Sequence, residues 1–198
     1  MPLKPLEELF QPNTRVHVDL MGPFTSTSET GDTVTRYILV ITDAFTKLAE
    51  VHAIPSKEAD VVAHMIVKQW VFRYGVPKII LSDGGKEFCN KLAGAVWDAL
   101  GVEHKTTSPY HPQTNGQAET FNRTIRRYIT TALAADANTD WENVLPALMF
   151  SYNTSVHRAT RMAPFSLVYG YEASTPIWDI DFMDNLPAST NSGDTIRN

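Results

Sequence analysis

Apolar and polar residues alternate through RVHVDLMG (15–22): Val16, Val18 and Leu20 fall on one side, His17 and Asp19 on the other. A period of two predicts a strand with one face against a core. A polar turn, TSTSETGDT, leads into RYILVITDAF (36–45), a mostly apolar run of the kind found inside a sheet. LAEVHAIP (48–55) supplies a third strand, so the first three form a meander. The period then changes. Val62, Ile66 and Trp70, with Met65 and Phe72 nearby, predict a helix over 57–74 that stops at Gly75 and Pro77.

KIILSDGG (78–85) reads as a short buried strand ending in a glycine turn. Residues 89–101 return to the helical period at Leu92, Val96 and Leu100 and close on a glycine. VEHKTTS (102–108) is a brief strand. A loop follows, then a helix reaching about Ala135; Thr114 with Gln117 fits a capping box that starts this helix at Asn115. Residues 141–157 are helical, kinked or restarted at Pro146, and APFSLVYG (163–170) is a short helix or turn. The order β-β-β-α-β-α-β-α-α describes an α/β sandwich, a mixed five-stranded sheet with helices on its faces. Residues 1–14 read as an extended lead-in, 15–170 as the domain, and 171–198 as a partly irregular extension.

Composition narrows the class. The chain has 198 residues, 43% hydrophobic and 20% charged, as expected for a globular domain. No apolar stretch approaches the roughly 18 residues of a membrane span, so no membrane partner is expected. One cysteine, Cys89, leaves no intrachain disulfide and no Cys-rich zinc module; it is expected as a buried helix residue. A net charge of −5 argues against wrapping nucleic acid by bulk attraction, yet leaves room for local positive charge or for cations that offset carboxylates.

Three acids sit in unusual places. Asp19 interrupts a strand, where aspartate is depleted. Asp83 ends a buried strand before Gly84-Gly85, and Glu119 opens the long helix. Ligands of open α/β sheets bind beyond the carboxyl ends of strands, where these three could meet. Their mutual repulsion calls for cations, and oxygen-only ligands suit Mg²⁺ or Mn²⁺. Two such ions about 4 Å apart clamp the attacking and leaving oxygens of a phosphoryl displacement. Each acid also has an ordinary reading: a turn aspartate at 83, a first-turn helix residue at 119, a solvent-facing strand residue at 19. Glu119, Arg123 and Arg126 form one stripe of the helix, able to follow a phosphate backbone or to form salt bridges on a solvated face. For Arg127 the salt-bridging reading is preferred.

Taken together, VDLMGP, ITDAFTK, YGVPKIILSDGGKEF, SPYHPQTNGQAETFNRT, SYNTSVH and APFSLVYG resemble the catalytic core of retroviral and LTR-retrotransposon integrases, closest to the Gypsy-like group. Between Asp19 and Asp83 lie 63 residues, and between Asp83 and Glu119 lie 35, the spacing of the family's D,D-35-E signature. The resemblance covers about residues 14–170. It implies a ribonuclease H-like fold and metal-dependent polynucleotidyl transfer, with Asp19, Asp83 and Glu119 as the catalytic, metal-binding acids and two Mg²⁺ or Mn²⁺ ions as cofactors. In such enzymes water first trims the 3′ ends of element or viral cDNA, and the exposed hydroxyl then attacks target DNA.

The resemblance further implies DNA contacts from Tyr110, Gln113, Asn115, Arg123 and Arg126. It implies a homodimer of the core, with 89–100 and 141–157 as its candidate face, a higher multimer in the full-length protein, and a nuclear site of action. Gly84 and Thr120 depart from residues common in relatives, and the family's zinc and C-terminal domains are not represented, as expected of an excised core. Two alternatives remain: a ribonuclease H-type nuclease, and a captured, inactive integrase-like domain that binds DNA or protein. Among other residues, Asp43 is expected to be a structural hydrogen-bonder, Glu87 solvated surface, His111 a loop former, and Trp70, Trp97 and Trp141 core or interface.

Overall fold

The computed structural model describes residues 11–27, 31–106, 116–138 and 140–174; of residues 86 and 116–120 only the backbone is described. Strands β1 (Arg15–Thr27), β2 (Thr33–Asp43) and β3 (Ala49–Ile54) form the expected antiparallel meander. Helix α1 (Ala59–Ile66), a π-turn over Val67–Val71 and a last turn α2 (Phe72–Tyr74) carry the chain back. Strand β4 (Ile79–Ser82) then pairs parallel to β1, and β5 (Glu103–Thr106) parallel to β4, with α3 (Lys86–Cys89) and α4 (Lys91–Leu100) between them. Helices α5 (Gly116–Ala135), α6 (Leu145–Thr154) and α7 (Pro164–Tyr169) follow in the described residues. The sheet order is β3-β2-β1-β4-β5, which makes β1 the central strand.

Alternation along the strands divides the core in two. Val16, Val18, Leu39 and Ile41 face Val62, Ile66, Trp70, Ala93 and Trp97. Met21, Ile38, Val40 and Val51 face Phe121, Ile125, Ile129, Trp141 and Leu145. Thus α1 and α4 cover one face, and α5 and α6 the other. All three expected core tryptophans are buried, Trp70 and Trp141 to 1% exposure and Trp97 to 2%. Each such side chain contributes about 1.5–3 kcal/mol of burial. The stripe Phe121, Ile125 and Ile129, spaced by four, seats α5 on the sheet.

Several expectations are corrected. The buried positions of α4 are Ala93 and Trp97, while Leu92 is 50% exposed, because the indole takes the inward place and turns the leucine outward. Cys89 is exposed rather than buried. It ends α3, where Phe88 takes the inward position, and the chain breaks at Asn90 before α4 begins. The Asn90 side chain caps that start by accepting from the Ala93 amide at 2.9 Å. Phe72 is 78% exposed, since the π-turn directs Trp70 and Val71 inward and rotates the next residue out. The helix expected over 141–157 restarts at Pro146, one of the two expected outcomes: a 3₁₀ turn, Trp141–Val144, precedes α6, which carries Pro146 in its first turn, where a missing amide costs nothing, and ends at Thr154. Finally, α4 and α6 lie against opposite faces of the sheet, so they make no common dimer face.

Candidate active site

Asp19 lies in the middle of β1 rather than at a strand end. The parallel partner β4 nevertheless stops beside it. The last registered pair is Val18 with Ser82, so Asp19 and Asp83 are the next residues along two adjacent parallel strands. A charged side chain at a central strand is tolerated here because its neighbour strand has ended and left the position half open.

Asp19 faces the α5 side, since Val18 and Leu20 belong to the opposite core. Its Oδ1 accepts from the Leu20 amide at 2.9 Å, and its Oδ2 accepts from Asn122 Nδ2 at 2.7 Å. Burial raises the Asp19 pKa above the usual carboxylate range, and the negative charge of Asp83 raises it further. The Leu20 and Asn122 hydrogen bonds and the charge of Arg126 oppose this without cancelling it. Two of the expected acids therefore share one electrostatic neighbourhood, and Arg126 lies within it.

Asp83 is exposed, and its Oδ1 accepts from the Gly85 amide at 3.1 Å. That turn bond realises the ordinary role of an aspartate before Gly-Gly without removing the carboxylate from the site. Space around it is limited. A Cβ added at Gly85 would lie 2.9 Å from Asp83 Oδ1 and 2.8 Å from Glu87 Cδ. Glu87 is thus a half-buried neighbour of Asp83 rather than solvated surface.

Position 119 lies in the first turn of α5, three residues before Asn122 and on the same side of the helix. The Asn122 bond and the buried Phe121 dock this turn onto β1. The Glu119 side chain lies outside the described residues, as do Tyr110, Gln113, Asn115, the Thr114 cap and His111. Arg123 and Arg126 are exposed on α5, as the stripe requires, and so is Arg127.

The donor set fits a hard divalent cation. Asp19 and Asp83 offer carboxylate oxygens whose repulsion an ion would relieve. The Oδ1 of Asn122 is buried beside Asp19 with no hydrogen-bond partner. Among the described residues no three His, Cys, Asp or Glu side chains form a metal-sized group.

Asp43 shows where a different acid goes. It is 2% exposed and accepts from the Asn13 amide at 2.9 Å and from the Thr46 amide and hydroxyl at 2.6 and 2.8 Å. Its role is structural, as expected. His17 shares the Asp19 side of β1, and burial first, then Lys47 and Arg15, brings its pKa down to about 4. It is neutral at physiological pH. Asn122 escaped sequence reasoning, although its place three residues after Glu119 is the signal that could have found it.

Comparison with known proteins agrees with this arrangement. Two family models, each described as "Integrase core domain", match residues 10–112 and 100–163. The Gag-Pol polyprotein of feline leukemia virus is 31% identical over 137 residues, 68% of this chain and 8% of that protein. The retrovirus-related Pol polyprotein from transposon 412 of Drosophila melanogaster is 30% identical over 162 residues, 82% of this chain and 13% of that protein. The chain therefore spans a small part of these relatives. Among solved structures, the catalytic core domain of BIV integrase superposes with a TM-score of 0.56 at 23% identity, covering 78% of this chain and 93% of that one. The HTLV-2 integrase catalytic core domain in complex with magnesium gives 0.59 at 15% identity, covering 78% and 95%. These likenesses identify the fold as ribonuclease H-like, with a mixed five-stranded sheet flanked by helices.

Proposed function

The chain belongs to the integrase core domain family, and from that membership we propose that it is a metal-dependent polynucleotidyl transferase acting on DNA. The observation that carries the reading is the Asn122–Asp19 hydrogen bond. It brings the turn bearing position 119 against the strand bearing Asp19, beside the strand that ends in Asp83. Asp19, Asp83 and Glu119 would be the catalytic acids and would hold two Mg²⁺ or Mn²⁺ ions. Bound there, such ions would neutralise the acids and polarise phosphate oxygens.

The chain's own residues have separable tasks. Asp19 and Asp83 hold negative charge at adjacent strand positions, where an incoming phosphodiester would be repelled until cations offset it. Asn122 orients the Asp19 carboxylate. Arg126, already within the field of Asp19, and Arg123 would contact the DNA backbone, as would Tyr110, Gln113 and Asn115 from the loop before α5. In the first reaction water would add to the phosphorus near a cDNA end and the P–O bond to the 3′-oxygen of the retained strand would break, so that the phosphate departs on the 5′ end of the released nucleotides and a 3′-hydroxyl remains. In the second, the freed 3′-oxygen adds to a target phosphorus and a target 3′-oxygen leaves. The DNA substrates are the ends of the element or viral cDNA and chromosomal target DNA, which makes the nucleus the site of action.

The homodimer is retained within this reading, placed on α6, where Phe150 is 41% exposed, rather than on α4 and α6 jointly. Light scattering that gives a monomer at moderate concentration removes it.

Asp83→Asn tests the enzymatic reading. It is expected to abolish Mn²⁺-dependent cutting and joining of duplex DNA ends while the circular dichroism spectrum stays unchanged; full activity rejects the proposal. Preferential cleavage of an RNA–DNA hybrid would favour the ribonuclease alternative. A calorimetric titration without Mn²⁺ binding would favour the captured, inactive one.

A further inference from the structure

The opposite face of the sheet carries a hydrogen-bonded chain with no part in the reaction described above. Ser82, the last residue of β4, is 1% exposed and points into the layer formed by α1 and α4. Its hydroxyl lies 2.8 Å from the carbonyl oxygen of Asp83 and 2.8 Å from Nε2 of His104 on β5. A hydroxyl carries one proton, and a carbonyl oxygen can only accept. The Ser82 proton therefore goes to Asp83, and the remaining contact requires His104 to present Nε2–H to the Ser82 oxygen. The order of donation is His104 to Ser82 to the Asp83 main chain.

His104 is held for this task from two sides. It is in register with Ile80, two residues before Ser82 and on the same side of β4. Its ring also lies against that of the buried Trp97, with centroids 6.4 Å apart. The chain needs such a tie at this point. Asp83 is followed by two glycines, and its exposed carboxylate bonds locally to Gly85. Where its carboxylate stands depends on where its main chain leaves β4.

We infer that Ser82 and His104 are positioning residues that fix the Asp83 carboxylate from the back of the sheet by holding its peptide carbonyl. Neither touches the site itself. The inference rests on the proposed role of Asp83 as a metal ligand, and the test separates the two.

Nitrogen-15 shifts of His104 in the parent chain should report protonation at Nε2; protonation at Nδ1 alone overturns the relay. Titration with Mn²⁺ alone should then show affinity reduced about tenfold in Ser82→Ala and His104→Ala. Ser82→Thr, which keeps the hydroxyl, should bind as the parent does. Thermal unfolding of each variant reports whether it remains folded, and if an alanine variant does not fold, Ser82→Cys and His104→Gln replace it. A purely structural pair would lower stability and leave Mn²⁺ affinity untouched, which overturns the positioning role. A parent chain that binds no Mn²⁺ overturns the enzymatic reading and this role with it. A parent that binds, with variants that bind equally well, overturns this role alone.

Discussion

The side-chain amide of Asn122 donates a 2.7 Å hydrogen bond to Asp19 Oδ2 across 103 residues of sequence, joining helix α5 to the central strand β1. The carboxylate it meets is partly withdrawn from water and lies within the field of a second carboxylate at Asp83. Asn122→Ala should cost about 1 kcal/mol of stability and reduce Mn²⁺ affinity about tenfold. Asn122→Asp should be less stable than the parent in chelator, because it sets a further negative charge against Asp19, and Mn²⁺ should offset that loss. Calorimetric Mn²⁺ titration beside thermal unfolding checks both variants, and an Asn122→Ala variant that binds Mn²⁺ as tightly as the parent contradicts the assignment.

Asp19 gives a pH dependence of defined sign. Its folded pKa is raised above 3.8, chiefly by burial, so the folded state holds the proton more tightly than the unfolded chain does. The stabilisation this gives is fully present below 3.8 and is lost as pH rises through the folded value. Asp19→Asn, permanently neutral, should therefore be more stable than the metal-free parent at pH 7, with the difference shrinking in acid. Unfolding curves of both proteins in chelator, at neutral and acid pH, measure it. Mn²⁺ binding to the parent should also weaken as pH falls, because the ion competes with the proton on Asp19.

Divalent ions should stabilise the parent selectively. At a free Mn²⁺ concentration of 100 times Kd, linkage predicts about 2.7 kcal/mol. At roughly 2–4 °C per kcal/mol, Tm should rise by about 5–11 °C. Asp83→Asn and Glu119→Gln should show a much smaller rise. Equal shifts in all three proteins would place the ion elsewhere.

Gly85→Ala probes the crowding around Asp83. The backbone there, with φ −60° and ψ 142°, suits any residue, so conformational strain is not at issue. A methyl group would instead meet Asp83 Oδ1 and Glu87 Cδ at 2.9 and 2.8 Å and push two mobile carboxylates aside. Stability should change by no more than about 0.5 kcal/mol, while DNA cutting should fall severalfold. Unaltered cutting would show that Asp83 needs no fixed carboxylate orientation.

Asp43→Ala should behave in the opposite way. It strands the Asn13 amide and both Thr46 donors in a buried turn. The expected loss is about 3 kcal/mol, from several unsatisfied buried donors. Mn²⁺ affinity of the fraction that remains folded should be unchanged, which denaturant melts and titration together can establish.

What could be read from the chain itself was whatever repeats locally. Alternation at Val16, Val18 and Leu20 placed Asp19 on the opposite face of β1, and the four-residue period found the inward positions Val62 and Ile66 of α1 and Trp70 of the π-turn that follows it. The order and spacing of Asp19, Asp83 and Glu119, together with the motifs around them, resembled the integrase family's and so pointed to it. Tertiary structure alone decided which of two apolar neighbours turns inward, as at Trp97 rather than Leu92, and that Cys89 is exposed. It alone paired Asn122 with Asp19 and Ser82 with His104. Those choices come from packing between segments far apart in sequence, where side-chain volume and hydrogen-bond geometry compete, and no local pattern of hydrophobicity records the outcome.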